Sequence, residues 1–113
     1  MRTSGAVFRP SGSVHVMGTY IMLSTLSPDG ANTLIENPER LTEVNEEVAR
    51  MGAKVVAQYA VLAPYDFVTI LEAPDVSTIS RVAVQLGSRG TIKSTTLTAI
   101  PVDDFNAALA ADS

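Results

Sequence analysis

The sequence predicts one α+β domain in which two amphipathic helices pack on one face of a four-stranded antiparallel sheet. Three observations support this prediction. The chain has 113 residues, which is enough for a single core. Four β-rich segments and two longer helical segments follow one another in the order βαββαβ. Right-handed crossovers in that order place both helices on the same face of the sheet, and one more short helix follows.

The first strand is predicted over residues 19–26, TYIMLSTL, which are rich in strand formers. Residues 27–30, SPDG, either begin a helix or form a turn, and a short helical segment is predicted over residues 31–35. Residues 37–39, NPE, then offer an N-cap, a proline at the first helical position and an acid in the first turn. The helix is therefore expected to restart or bend there.

The next helix is amphipathic, because its apolar residues recur at steps of three and four, and Gly52 supplies a stop. The apolar stripe comprises Leu41, Val44, Val48 and Met51. The opposite face carries glutamates that we interpret as solvated and not as metal ligands. These are Glu39, Glu43, Glu46 and Glu47.

Two strands are predicted over residues 54–62 and 67–73, and the connection 63–66 has the length of a hairpin loop, so they are expected to pair antiparallel. The helix that follows is expected to be capped by Asp75 or Ser77 and to end at Gly87. Its apolar stripe comprises Ile79, Val82, Ala83 and Leu86.

The fourth strand is predicted over residues 91–100 and is stopped by Pro101. Asp103 or Asp104 is expected to open a last short helix. On that helix one apolar face is formed by Phe105, Ala108 and Leu109. The folded domain is therefore predicted over residues 19–111.

Residues 1–18 show no sustained periodicity and are predicted to be a disordered leader. Met17 lies just before the first strand, so the preceding residues are alternatively a misassigned start or an addition upstream of the natural start. A transit peptide is a weaker alternative.

The net charge of −4 argues against a nucleic-acid partner, because phosphate binding requires a basic surface. The chain has no cysteine, which removes disulfides, thiolate catalysis and metal-thiolate sites. It also has no apolar segment of membrane-spanning length, so no membrane partner is expected. We predict a cytoplasmic protein.

The face of the sheet without helices is predicted to be apolar. Ile21 and Leu23 point to one side of the first strand, whereas Tyr20 and Met22 point to the other. The second and third strands likewise carry large apolar residues on both sides. An apolar patch of this kind usually marks an interface, so the partner is expected to be a second copy of the chain.

Two such sheets facing each other could enclose a small apolar or amphipathic ligand. The candidate ligand-binding residues are Tyr20, Met22, Ser24, Gln58, Tyr59, Phe67 and Thr69. The alternative, to which we give more weight, is that these residues only fill the interface.

Three segments with a recognisable pattern cover most of the domain: TYIMLSTL from residue 19, NPERLTEVNEEVARMGAKVVAQYAVLAPYDFVTILEAPD from residue 37, and LGSRGTIKSTTLTAIPVDDF from residue 86. Together they resemble the GYD domain family over about residues 18–110. Tyr65 and Asp66 match the Gly-Tyr-Asp signature, whereas Ala63 occupies the glycine position with Pro64 between. The resemblance implies a dimeric α/β barrel built from ferredoxin-like subunits. It implies no established reaction, because similar barrels serve as monooxygenases, isomerases and ligand sensors.

Tyr65 and Asp66 are the candidate catalytic residues, since a hairpin tip can present a phenol and a carboxylate for proton transfer. The favoured alternative is structural, with Asp66 accepting backbone N–H bonds. Residues 87–90, GSRG, are read as a turn after a helix and less readily as an anion site. The single histidine, His15, lies outside the domain, so no metal site and no cofactor are expected.

Three functions remain open at this point. The first is a non-enzymatic small-ligand-binding or interaction domain whose oligomeric interface creates an apolar cavity. The second is a cofactor-independent enzyme, an isomerase or a monooxygenase, acting on a small aromatic or lactone-like substrate. The third is a purely structural assembly unit in which the terminal helix bridges subunits.

Overall fold

The computed structural model describes residues 17–111, so the predicted leader lies outside the described residues apart from its last two positions. The strands are β1 Gly18–Leu26, β2 Lys54–Ala60, β3 Phe67–Ala73 and β4 Ile92–Ala99. The helices are α1 Pro28–Glu36, α2 Arg40–Arg50, α3 Val76–Gly87 and α4 Val102–Ala111. Among residues 17–111, no helix combines the length and the apolar character needed to cross a membrane.

The four strands form one antiparallel sheet in the order β2-β3-β1-β4. This order confirms the predicted ferredoxin-like α+β fold, because β1 and β3 occupy the centre and each βαβ crossover brings a helix over the same face. The core lies between that covered face and the helices. It comprises Tyr20, Met22, Val48, Ala53, Leu71, Ala73, Ile79, Val82 and Leu86.

The first helical region begins earlier than predicted. Ser27 caps α1, because its Oγ accepts a hydrogen bond from the Gly30 backbone N–H at 3.0 Å. Asn37 was predicted to cap the next helix, but it ends α1 instead, and Glu39 occupies the N-cap position of α2 without a side-chain hydrogen bond. The chain therefore bends between two separate helices. Gly52 has a φ of 102° directly after α2, as expected for a helix stop.

The predicted second strand is two residues too long, because the ladder ends at Ala60 and the connection to β3 spans residues 61–66. Of the two predicted caps of α3, Asp75 and Ser77, the structure selects Asp75, whose Oδ1 accepts a hydrogen bond from the Thr78 N–H at 2.8 Å. The helix ends at Gly87 as predicted, but Gly87 is its last helical residue and not a left-handed residue just beyond it. The left-handed position belongs to Gly90, whose φ is 73°.

The terminal helix α4 has no buried residue. Its apolar side chains remain exposed in the single chain. They include Val102, Phe105 and Leu109, which are spaced to lie along one side of the helix.

Candidate functional site

The face of the sheet without helices carries an apolar row that crosses all four strands. Ala57 of β2 pairs with Ile70 of β3, Ile70 pairs with Ile21 of β1, and Ile21 pairs with Leu97 of β4. None of these four residues is fully buried, and Leu97 is 45% exposed. The prediction that this open face is apolar is therefore confirmed for the single chain.

A second row runs beside the first one. It contains Tyr59, Val68, Leu23 and Thr95, taken from β2 to β4. Tyr59 is 60% exposed, so a predicted ligand residue lies on the open face. At the end of the sheet, Lys54 pairs with Glu72 in the register, which places opposite charges side by side. An apolar centre with a polar margin is the usual anatomy of a protein interface.

The other predicted ligand residues lie on the covered face, under the helices. Tyr20, Met22, Ser24 and Thr69 are each at most 5% exposed, and Tyr20 and Met22 belong to the core. The sequence predicts these residues and Tyr59 on one intersubunit surface, whereas the structure places them on opposite faces of the sheet. Their role in ligand binding stays a prediction.

A chain of side-chain hydrogen bonds connects α2 to the covered face. Asn45 Nδ2 donates to Gln58 Oε1 at 2.9 Å, and Gln58 Nε2 donates to Thr69 Oγ1 at 3.0 Å. Nearby strands are joined by Ser24 Oγ and Ser94 Oγ, which are 3.1 Å apart. Buried polar groups are expected to be paired in this way, because an unpaired one loses its hydration without compensation.

Replacing Thr69 by valine is expected to lower the free energy of unfolding by about 1–3 kcal/mol. The Gln58 amide loses its acceptor, and water does not easily take the place of the hydroxyl group because Thr69 is buried. Urea denaturation at a fixed protein concentration measures the change. Thr98→Val is the matched control, since Thr98 lies on β4 and is exposed. Equal midpoints for the two variants would show that the hydrogen-bond chain contributes nothing to stability.

A small inner compartment of about 40 Å³ lies inside the covered face. Five of the seven predicted ligand residues line it, namely Met22, Ser24, Gln58, Phe67 and Thr69. Its volume is of the order that holds a water molecule. These five residues are therefore brought together, although within one subunit and not between two.

A larger outer cavity of about 200 Å³ lies next to the inner compartment, between the helices and the beginning of β4. The two spaces share walls formed by Leu41, Val44, Phe67, Leu86 and Ile92. The outer cavity also has two arginines in its lining, Arg40 and Arg89. From the sequence, Arg89 belongs only to the less favoured anion site of residues 87–90, and Arg40 belongs to no predicted site. The two arginines are 49 positions apart, and only the packing of α2 beside the end of α3 brings them to one cavity.

Both arginines form ion pairs with glutamates of α2. Arg40 Nη1 lies 3.1 Å from Glu43 Oε1, and Arg89 Nη2 contacts Glu47 Oε2. The hydrogen bond from Arg89 is the main reason that the pKa of Glu47 lies below its ordinary value, and partial burial opposes it. The same hydrogen bond raises the pKa of Arg89. Glu47 was predicted to be part of a solvated face, but it joins two elements that are distant in sequence.

The segment 87–90 does not present its backbone as an anion site. The Ser88 N–H donates to the Val84 carbonyl at 2.9 Å, and the Gly90 N–H donates to the Gly87 carbonyl at 3.1 Å. These N–H groups complete the end of a helix and a turn. In this position the Arg89 side chain reaches Glu47 of α2.

The predicted catalytic pair, Tyr65 and Asp66, lies in the connection before β3. Asp66 Oδ2 accepts a hydrogen bond from the Leu26 N–H at 2.8 Å, and the Asp66 N–H donates to the Ser24 carbonyl at 2.8 Å. The peptide bond between Ala63 and Pro64 is cis. The Asp66 carboxylate thus fastens the connection to the end of β1, which agrees with the structural alternative.

Comparisons with known proteins agree with this architecture. The family model described as the GYD domain matches residues 20–109. A relative from Thermus thermophilus, named glutamine synthetase and cystathionine beta-lyase binding protein, is 57% identical over 94 residues, which is 82% of this chain and 99% of that protein. No solved structure matches the chain significantly. Because the family model spans all four strands and the intervening helices, the chain belongs to the GYD domain family.

Proposed function

We propose that this chain is a self-associating interaction domain that binds a protein partner. In this proposal two copies cover each other's open sheet face, and the assembly binds glutamine synthetase or cystathionine beta-lyase, the proteins in the name of the relative. The observation that carries the proposal is the continuous apolar row Ala57–Ile70–Ile21–Leu97 on a face that no helix of residues 17–111 covers. In this proposal the assembly is located in the cytoplasm.

The open sheet face supplies about half of the area that a stable interface buries on each partner. Four strands about 4.8 Å apart, each with seven or more residues at about 3.3 Å per residue, present a face of about 400 Å². A stable interface buries about 800 Å² on each partner. The remaining area is available on exposed apolar residues outside the sheet. These include Val61, Val102, Phe105 and Leu109.

Catalysis and an intersubunit cavity are not part of the proposal. The Asp66 carboxylate accepts a hydrogen bond from the Leu26 backbone N–H, which supports a structural role for it. Four of the residues predicted to line a cavity between subunits are at most 5% exposed in the single chain, which argues against their lining a space between two subunits.

Replacing Ile70 by lysine is expected to convert the assembly into monomers, because it places a charge at the centre of the proposed interface, where desolvation is costly. Light scattering after size-exclusion chromatography measures the mass of each species. Val84→Lys is the control, since Val84 is 72% exposed on α3 and lies away from the open face. Leu97→Lys, on an edge strand, tests the same face if Ile70→Lys does not fold. A wild-type protein that stays monomeric at tens of micromolar, or an assembly unaffected by both variants, would contradict self-association.

Partner binding is tested separately with purified glutamine synthetase and purified cystathionine beta-lyase immobilised in turn for biolayer interferometry. The wild-type chain is expected to bind at least one of them, and Val84→Lys serves as the folded control. If neither enzyme binds while the chain is folded and oligomeric, the partner assignment is wrong and self-association stands alone. Binding by the wild type but not by monomeric Ile70→Lys would show that the partner requires the assembly.

A further inference from the structure

The cavity beside the inner compartment has the composition of a binding site for a small amphipathic anion. Its walls come from all three helices that cover the sheet: Leu34 of α1, Leu41 and Val44 of α2, and Leu86 of α3. Phe67 of β3 forms part of the floor. Apolar cavities of about 150 Å³ are large enough to take up benzene, and this one has about 200 Å³.

The polar groups of the cavity are cationic or neutral. Arg40 and Arg89 line it, and no acidic side chain of residues 17–111 does. Each guanidinium has five N–H donors, and the ion pairs with Glu43 and Glu47 account for one nitrogen on each arginine. Donors therefore remain for a ligand, and guanidinium groups bind carboxylates through paired hydrogen bonds.

We propose that this cavity binds a small monocarboxylate whose apolar body, about the size of one aromatic ring, enters between the helices and the sheet. Its carboxylate lies between Arg40 and Arg89. A monoanion fits better than a phosphate, because Glu43 and Glu47 already balance the two cations and leave little net positive charge. This site is distinct from the open face, so the proposal does not depend on self-association or on a protein partner.

The probe for this proposal is phenylacetate, measured by isothermal titration calorimetry against the wild-type chain. Phenylacetamide has the same body without the charge, and acetate has the charge without the body. Phenylacetate is expected to bind at least tenfold more tightly than either, because phenylacetamide lacks the charge that strengthens hydrogen bonds to the guanidinium groups and acetate lacks the apolar body that the cavity buries. Equal affinity for phenylacetate and phenylacetamide would overturn the role of the arginines, and no binding of phenylacetate would overturn the site.

Two variants of the same ion pair separate binding from stability. Arg89→Gln and Glu47→Gln both remove the Arg89–Glu47 contact, so a purely structural role would shift phenylacetate affinity in the same direction for both. The proposal requires the two variants to differ: binding is about tenfold weaker for Arg89→Gln, whereas it is not weakened for Glu47→Gln, because the guanidinium is then released from its ion pair. Arg50→Gln is the control, since Arg50 lies on α2 and outside the cavity lining. Parallel losses in both variants would contradict the proposal.

Discussion

Replacing Leu71 by alanine is expected to lower the free energy of unfolding by about 2–5 kcal/mol, the range for buried leucines cut back to alanine. Leu71 is 1% exposed on the central strand β3 and pairs with Tyr20 of β1 on one side and Val55 of β2 on the other. The variant loses the transfer free energy of the missing methyl groups and leaves a cavity that a sheet residue held on two sides cannot close. A loss of this size is a large fraction of the total stability of a small domain.

Thermal and urea denaturation at equal protein concentrations measure this effect. Leu62→Ala is the matched control, because the same side chain is removed from a residue that is 92% exposed, and a change within about 0.5 kcal/mol is expected there. If Leu71→Ala and Leu62→Ala were equally stable, the core would not lie between the sheet and the helices.

Replacing Gly30 by alanine is expected to destabilise the domain by about 1–3 kcal/mol, although alanine is the better helix former. A Cβ at residue 30 would lie 2.4 Å from the carbonyl oxygen of Thr91, which is a backbone atom and cannot rotate away. The same carbonyl accepts the Ser27 N–H at 2.9 Å, so moving it also weakens the contact between the start of α1 and the start of β4.

The control for Gly30→Ala is a second glycine at which alanine is expected to raise the stability and not to lower it. Gly87 is also helical, but a Cβ built on it meets no atom within 4 Å. Gly87→Ala is therefore expected to stabilise the domain by about 0.5–1 kcal/mol through helix propensity alone. Urea denaturation of both variants gives the comparison. Two changes of the same sign would show that close approach of α1 and β4 does not explain the glycine at position 30.

The order of elements could be predicted from the sequence because each is specified by local signals. The β-rich run at residues 19–26, the three- and four-residue spacing from Leu41 to Met51, and the Asp75 cap all act within a few residues. The ends of the elements are not set by local signals alone. Residues 61 and 62 have strand composition, yet the ladder ends at Ala60, because pairing with β3 decides where a strand stops.

The candidate sites were predicted less completely. The alternation of side chains along β1 correctly placed Ile21 and Leu23 on one face of the sheet and Tyr20 and Met22 on the other. It does not indicate which of these faces the helices cover. The ion pair between Arg89 and Glu47 joins residues 42 positions apart, and no local pattern marks it. The same holds for the close contact between Gly30 and Thr91.

The sequence by itself determined the fold class and the presence of a sheet that is apolar on both sides, because periodicity and composition are local and additive along the chain. The family came from the resemblance of its segments to GYD domains. Only the tertiary structure decided which face stays open, which predicted ligand residues enter the core, and that Arg40 and Arg89 share one cavity. Those properties depend on how α1, α2 and α3 pack against the sheet, and packing joins residues whose separation along the chain carries no signal.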